Sequence, residues 1–305
     1  MLPVTPQGQA VSGLFNLALW LSVGVFLLVV GVLAYVLLRF RARSDADEDP
    51  PQVEGNRRIE LIWTVTPLLL ISVLFVLAVR TLDRMEAAAP SPLRVRVVGH
   101  QWWWEYEYPD LGVRTANELR VPTGRPLQLE ITSADVIHSY DVKAFGWKSD
   151  AVPGKVNLLR VEVGQAGRYD GDCTEYCGIQ HAWMRVDMLA EPPEQFDGWV
   201  RGQLAPAAEP ADPAGVRGKA VFLGNTCVNC HTVRGVGPSP RVGPELTHVG
   251  SRPTIGAGVR PNTRADLRRW LQEVQAVKPG ALMPAYADLP GQDLDALAAY
   301  LESLK

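Results

Sequence analysis

The sequence predicts a membrane-anchored multidomain chain, made of a two-helix transmembrane hairpin, an all-β domain and an all-α domain. Two long uncharged runs near the N-terminus predict the hairpin. Short β-rich runs separated by Gly and Pro predict the all-β domain, and apolar residues at helical spacing predict the all-α domain. We divide the chain into an N-terminal segment with both membrane helices, a β domain, a Pro/Ala-rich linker and a helical domain, at 1–90, 91–202, 203–213 and 214–305.

The two uncharged runs lie at about 11–38 and 61–79. A run of about 18 or more uncharged apolar residues is typical of a transmembrane helix. A buried core helix is the alternative, but few core helices lack a polar face over such a length. Pro67 falls in the second run, where a membrane helix tolerates it. We interpret the first run as an anchor and not a signal peptide, because it is long, follows no basic segment and precedes a second span.

The distribution of charge predicts how the hairpin is oriented. Net charge is −3, which indicates no nucleic-acid partner. The first ten residues contain no Lys or Arg, whereas the segment between the spans is rich in arginine. Its arginines are Arg39, Arg41, Arg43, Arg57 and Arg58. The positive-inside rule therefore predicts a cytoplasmic loop, with everything after about residue 79 outside. We expect a multi-pass protein of a bacterial inner membrane, with both later domains on the periplasmic side.

The middle of the chain contains many short strand-like runs. The predicted strands are 93–98, continued by the aromatic block 101–108, and then 127–131, 136–142, 157–163 and 184–189. Their regular spacing predicts an antiparallel sandwich or barrel. The linker, 203–213, is predicted to be a semi-rigid connection, because it is rich in Pro and Ala and has no periodicity. Beyond it, helices are predicted at 264–273 and 293–304, with Asp293 near an N-cap position.

The first pair of cysteines lies among other soft metal ligands. Cys173 and Cys177 are followed by His181 and Met184, and His138 lies upstream. Two thiolates, two imidazoles and a thioether suit copper, and the thioether argues against zinc. Two cysteines four residues apart can bridge a pair of metal ions, each completed by one histidine, with the methionine as a weak axial ligand. A disulfide between the cysteines and a structural zinc site are the alternatives.

The second pair of cysteines belongs to the segment Cys227-Val-Asn-Cys230-His231. This is the signature for covalent attachment of c-type haem, in which both thiols add to haem vinyl groups and the histidine becomes the proximal ligand. A redox dithiol is the alternative for an isolated C-x-x-C. His248 is left open between a second axial ligand and a solvated or propionate-side residue. His100 is interpreted as structural.

These segments resemble subunit II of cytochrome c oxidases over almost all of residues 12–190. The matching segments are 59–67, 99–108, 138–140, 146–155 and 173–184. The resemblance implies a cupredoxin-like β-barrel that carries a dinuclear CuA centre. It implies that the side-chain ligands are His138, Cys173, Cys177, His181 and Met184. It further implies that Glu175 binds copper through its backbone carbonyl, and that its carboxylate reaches a magnesium ion shared with the catalytic subunit. Lys143 and Lys155 depart from the usual Pro and Arg, and neither is a ligand.

The C-terminal part, about 214–305, resembles the cytochrome c family, in which a Met just before Pro is the distal haem ligand. That position is Met283, followed by Pro284. His/Met ligation raises the haem potential. The oxidase resemblance also implies that Trp102 lies where electrons enter CuA.

The expected function is relay of single electrons in a respiratory haem–copper terminal oxidase. Electrons would come from a cytochrome c or a quinol-oxidising complex, pass through haem c and CuA, and reach catalytic subunit I with its haem a and CuB. That subunit would reduce O2 to water and pump protons, and other oxidase subunits are expected as further partners. A CuA-containing subunit of a nitric-oxide reductase is one alternative. A copper-handling or assembly protein is the second, although delivery proteins need open, exchangeable sites.

Overall fold

The computed structural model describes residues 3–41, 52 and 55–305. They form two compact units, one of Gln9–Ala87 and the other of the residues up to Gly8 together with Ala88–Lys305. Arg43, one of the arginines on which the topology prediction depends, lies outside the described residues.

The first unit consists of two long helices, α1 (Pro6–Arg39) and α2 (Arg57–Glu86). Both are long and apolar enough to cross a membrane. Asn56 caps α2, since its side chain accepts hydrogen bonds from the first backbone N–H groups of the helix. The helices extend beyond the predicted runs at both ends. Met85, which follows the second predicted run, lies in the last turn of α2.

The second unit contains two five-stranded sheets and a separate two-stranded ribbon. The first sheet has the order β3-β2-β1-β5-β8 and the second β4-β10-β9-β6-β7. The strands are β1 (Leu93–His100), β2 (Trp103–Tyr108), β3 (Val113–Ala116), β4 (Glu118–Pro122), β5 (Pro126–Ser133), β6 (His138–Val142), β7 (Ser149–Ala151), β8 (Asn157–Glu162), β9 (Gly167–Cys173) and β10 (Arg185–Glu191). The ribbon consists of β11 (Thr254–Ile255) and β12 (Arg260–Pro261).

Two features of these sheets differ from the prediction. The β1–β5 and β4–β10 pairs are parallel, so the sandwich is mixed rather than wholly antiparallel. The aromatic block does not continue β1: the chain turns at Gln101 and Trp102, and β2 returns antiparallel to β1. A continuous strand and a hairpin share the same alternation of apolar residues, so the pattern alone does not separate them.

The sandwich core follows from that alternation. Leu93, Val95 and Val97 of β1 are fully buried and alternate with exposed or half-buried residues. The rings of Trp104, Tyr106 and Tyr108 from β2 are fully buried as well, and they fill the space beside β1.

Four more α-helices complete the second unit. They are α3 (Pro193–Leu204), α4 (Pro213–Gly224), α5 (Arg264–Val277) and α6 (Gly291–Ser303). Helix α3, which the sequence did not predict, packs Phe196 and Trp199 against Tyr108 of the sandwich. The segment without regular structure before α4 is 205–212. The N-cap of α6 is Pro290, and Asp293 lies inside its first turn.

Candidate functional site

Three adjacent strands hold the candidate metal ligands. His138 begins β6, Cys173 ends β9, and Met184 directly precedes β10. Strand β9 lies between β6 and β10 in the second sheet. The Cys173 N–H donates to the carbonyl of Met184 at 3.0 Å, and the N–H of Thr174 donates to the carbonyl of Ser139 at 3.0 Å. These bonds close the base of the ligand loop and fix both of its ends to the sheet.

The side chains converge on the two sulfurs. The Sγ atoms of Cys173 and Cys177 are 3.8 Å apart. Nδ1 of His138 lies 3.9 Å from the first sulfur, and Nδ1 of His181 lies 3.7 Å from the second. The Sδ of Met184 is 3.9 Å from the second sulfur. Sulfur ligands bind such metals at about 2.3 Å, so two that share one ion lie within about 4.6 Å of each other. The sulfur separation therefore suits a bridging pair.

The Glu175 carbonyl completes the set of donors. Its oxygen lies 3.3 Å from Cys173 Sγ, while the Glu175 side chain is exposed. Asp135 orients His138: its Oδ1 lies 2.8 Å from His138 Nε2, which leaves Nδ1 facing the sulfurs. Such carboxylate–histidine contacts fix the ring and its tautomer.

The hydrogen bond between the two sulfurs makes the two thiols differ in acidity. The hydrogen bond between the sulfurs lowers the pKa of Cys173 and raises the pKa of Cys177. The first thiolate thus holds the proton of the second thiol in place. A metal cation between the sulfurs would stabilise both thiolates, which is the form that binds metal.

The candidate haem residues line one cavity of about 470 Å³. Cys227, Cys230, His231 and Met283 all contribute to its wall. The rest of the wall is largely apolar, from Phe222, Leu246, Leu267, Leu271, Leu297 and Leu301. An apolar cavity with a few converging polar groups is typical of a cofactor site.

Two contacts orient the candidate axial ligands. His231 Nδ1 lies 2.8 Å from the carbonyl of Pro244, so this nitrogen donates and the other remains a free acceptor. Burial lowers the pKa of His231, which keeps the imidazole in the neutral form that binds metal. Trp270 Nε1 donates to the Met283 sulfur at 3.2 Å. Cys227 Sγ lies 3.8 Å from the hydroxyl of Tyr286.

Trp102 joins the two sites. It lines the cavity of the candidate haem residues, and its Nε1 donates to the carbonyl of Cys177 at 2.9 Å. Gln101 donates to the same carbonyl through Nε2 at 2.8 Å. One half-buried indole therefore contacts both the wall of the cavity and the backbone of a candidate copper ligand.

Comparisons with known proteins agree with this arrangement. The family model for the transmembrane domain of cytochrome c oxidase subunit II matches residues 3–83, and the model for its periplasmic domain matches residues 112–190. The cytochrome c family model matches residues 215–305. Cytochrome c oxidase subunit 2 of Alkalihalophilus pseudofirmus is 34% identical over 99% of this chain and 90% of its own.

The chain belongs to the cytochrome c oxidase subunit II family. A further relative, cytochrome c oxidase subunit 2 of Bacillus sp. (strain PS3), is 34% identical over 87% of this chain and 79% of its own. The solved periplasmic domain of subunit II of cytochrome oxidase of Bradyrhizobium japonicum is 31% identical, with a TM-score of 0.37, and covers 38% of this chain and 96% of that one.

Membership of the subunit II family confirms several expectations. The chain is a subunit of a haem–copper oxidase complex, with apolar N-terminal helices, a cupredoxin-like sandwich and a helical cytochrome c domain. Its subunit II periplasmic domain and its cytochrome c domain imply that it binds copper and haem c. The family's periplasmic domain and the apolar helices indicate membrane anchoring and an extracytoplasmic location.

Two histidines outside the ligand sets have structural contacts. His248 is 5% exposed rather than solvated, and its Nε2 lies 3.2 Å from the carbonyl of Ala205. It lines a separate cavity of about 430 Å³. The ring of His100 stacks on Trp103 with centroids 4.2 Å apart.

Sequence reasoning missed several residues around the sites, of which three bear on the contact between the sites. Asp135 and Gln101 contact the copper-side ligands, and Lys278 contacts Trp102 from the cytochrome c domain. Asp135 precedes a candidate ligand by three residues, which is a usable signal. Nothing local marks the copper-domain partners of Lys278, because Trp102 and Trp183 lie 176 and 95 residues away.

Proposed function

We propose that this chain is the subunit through which single electrons enter a respiratory haem–copper terminal oxidase. It would relay them from a cytochrome c-type donor to the catalytic subunit I, which reduces O2 to water with proton pumping. When bound, haem c and a dinuclear CuA centre supply the two one-electron carriers of this relay. The observation that carries the proposal is Trp102, which contacts the haem cavity and the copper loop at once.

The copper-side residues suit a dinuclear site better than a single ion. Cys173 and Cys177 would bridge, and His138 and His181 would each bind one copper. Each histidine faces a different sulfur, as expected if the two histidines hold different ions. Met184 and the carbonyl of Glu175 would complete the donor set as weaker ligands. A rigid sheet under the loop limits how far these ligands move when charge changes.

The exposed carboxylate of Glu175 supports one further part of the proposal. Its carbonyl faces the sulfurs, so the side chain is free to reach an ion at the surface of a partner subunit. Carboxylate oxygen is a ligand that Mg²⁺ prefers. We therefore propose that the Glu175 carboxylate contributes to a magnesium site shared with the catalytic subunit.

The haem-side residues have divided roles. Cys227 and Cys230 would bind the haem covalently, His231 would be the proximal ligand, and Met283 the distal one. The Pro244 carbonyl holds the His231 ring, and the Trp270 indole holds the Met283 sulfur. The apolar wall excludes water, and with His/Met ligation it raises the reduction potential.

Rapid mixing of the intact, metal-loaded protein with a reductant tests the relay. Haem oxidation and CuA reduction should occur together, at a rate independent of protein concentration, because both sites belong to one chain. A rate proportional to concentration would show that the haem serves another molecule. Cys227→Ser with Cys230→Ser is the matched control, which should lose covalent haem and keep the CuA spectrum. Turnover with protein donors should then fall steeply, while a small artificial donor still supports some activity.

A further inference from the structure

A single buried ammonium group joins the cytochrome c domain to the copper domain. Lys278 is 3% exposed, and its Nζ donates to three backbone carbonyls. Two belong to the copper domain, Trp102 at 2.8 Å and Trp183 at 3.0 Å. The third belongs to Gly256 of the cytochrome c domain, at 2.6 Å. We propose that Lys278 is a positioning residue that holds the haem cavity against Trp102.

The number of acceptors matches the chemistry of the ammonium. A protonated lysine has three N–H donors, and a neutral amine has only two. Burial lowers the pKa of Lys278 to about 7, and the nearby Cys177 sulfur opposes this shift. Three carbonyl acceptors are also an arrangement that favours the charged form of an amine. Hydrogen bonds from a charged donor are stronger than those between neutral groups, and they fix geometry more tightly. All three donors are used, so no part of the group is left unsatisfied.

The identity of the acceptors points to a role in electron transfer. Trp102 lines the haem cavity and donates to the Cys177 carbonyl. Trp183 stands between His181 and Met184 in the copper loop. Lys278 itself lies five residues before Met283. One group thus connects the segment of the candidate distal haem ligand with both the linking indole and the copper loop.

The neighbouring backbone packs closely at the same point. A Cβ built on Gly280 would lie 3.4 Å from the Trp102 ring and 2.5 Å from Ile179 Cδ1. Gly280 has a φ of +81°, so a glycine suits both its conformation and its contact. The turn after Lys278 therefore lies directly on the copper loop.

Other contacts hold the two domains together away from this point. Arg241 pairs with Glu107 at 2.6 Å, and Arg114 donates to the Thr232 hydroxyl at 3.0 Å. These bonds involve β2 and β3. Loss of the lysine ammonium should consequently loosen the contact near Trp102 without releasing the whole domain.

The inference rests on the proposed relay, and its test uses a readout that does not depend on the relay. Hydrogen–deuterium exchange of the intact protein would be compared for wild type and Lys278→Met, in the segment 183–187. The Arg185 N–H in this segment bonds across the domain boundary to the Ala257 carbonyl at 3.4 Å. We expect the Arg185 N–H in this segment to exchange at least about tenfold faster in Lys278→Met, because the hydrogen bonds from the charged lysine that hold the domains together here are lost. Strand β5 should exchange as in wild type.

Electron transfer provides the second readout. In wild type, the rate of haem oxidation should not change with solvent viscosity, because the domains are already in contact. In Lys278→Met it should fall as viscosity rises, because the domain has to return to its contact first. Lys305→Met, the same substitution at an exposed lysine of the same domain, should match wild type in both measurements.

Unchanged exchange at 183–187 in Lys278→Met would overturn the proposal. If Lys278→Met also accelerates exchange in β5, the variant has lost stability in general. Lys278→Gln then distinguishes positioning from general destabilisation, because its amide keeps two N–H donors. Acceleration confined to 183–187 in that variant supports positioning, and equal acceleration in β5 overturns it. A wild-type transfer rate that rose with protein concentration would defeat the proposed relay while leaving the exchange result intact, so the two failures are distinguishable.

Discussion

The crossing of α4 and α6 gives a prediction that the structure allows us to quantify. A Cβ on Gly218 would lie 2.6 Å from the carbonyl carbon of Ala296 and 2.7 Å from Tyr300 Cβ, with the Ala296 oxygen nearer still. Optimal separation is about 3.5 Å, so Gly218→Ala has to displace α6 by roughly 1 Å. Overpacking of this kind costs about 1–3 kcal/mol or more. The greater helix propensity of Ala returns about 1 kcal/mol.

Because the added methyl meets the backbone carbonyl of Ala296 rather than a flexible side chain, the overpacking cost lies in the upper part of this range, and the net destabilisation should be about 1–2 kcal/mol. For a domain of this size, that lowers the Tm by roughly 5–15 °C. The cavity should change too, because Phe222 of α4 and Leu297 and Leu301 of α6 form part of its wall. The assay is thermal unfolding of the intact protein in detergent, followed through haem absorbance.

Gly224→Ala is the matched control, since a Cβ there meets nothing within 4 Å. That variant should equal or exceed wild type in stability, because Ala is favoured over Gly in a helix by about 0.5–1 kcal/mol. If Gly218→Ala unfolded at the wild-type temperature or above it, the close crossing of the two helices would not limit the domain, and the reasoning would fail.

Three further predictions concern the copper site and the membrane. Cys173→Ser should lose the mixed-valence copper pair. Met184→Leu should keep two coppers with an altered spectrum and potential, because a weak axial ligand tunes the site. Absorption and electron paramagnetic resonance spectra check both variants. Trp102→Phe should keep the copper spectrum but slow the internal transfer, with the loop destabilised by about 1 kcal/mol through loss of the bond to Cys177, as rapid mixing and thermal unfolding would show. Reporter fusions should be active in the cytoplasm near Arg43 and outside at the C-terminus; a cytoplasmic C-terminus would contradict the topology.

The ligand loop was predictable because its signal is local. Cys173, Cys177, His181 and Met184 lie within 12 residues of sequence, so their spacing limits where their side chains can go. The two apolar helices were predictable for a similar reason, because length and composition decide them. The ends of these helices were less predictable, since polar residues such as Arg57 continue a helix as readily as they end it.

Contacts between residues far apart in the sequence could not be predicted from the sequence pattern. The parallel pairing of β1 with β5 depends on which strands meet after the chain has crossed the sandwich. The alternation of apolar and polar residues is the same in parallel and antiparallel strands, so it does not reveal this pairing. Helix α3 has few apolar residues, and it is stabilised by the rings of Phe196 and Trp199 against the sandwich. Tertiary packing, rather than propensity, decides such short helices.

The contact at Trp102 changes how the linker should be understood. A domain on a short flexible tether meets its acceptor at an effective concentration of roughly millimolar, and it still has to find the correct orientation each time. Here the segment 205–212 could act in this way, but Lys278 and Gly280 already lie against Trp102. An external donor would have to displace the cytochrome c domain to reach that indole. We therefore expect it to dock where the haem cavity opens to solvent, beside Leu282, which lines the cavity and is 87% exposed.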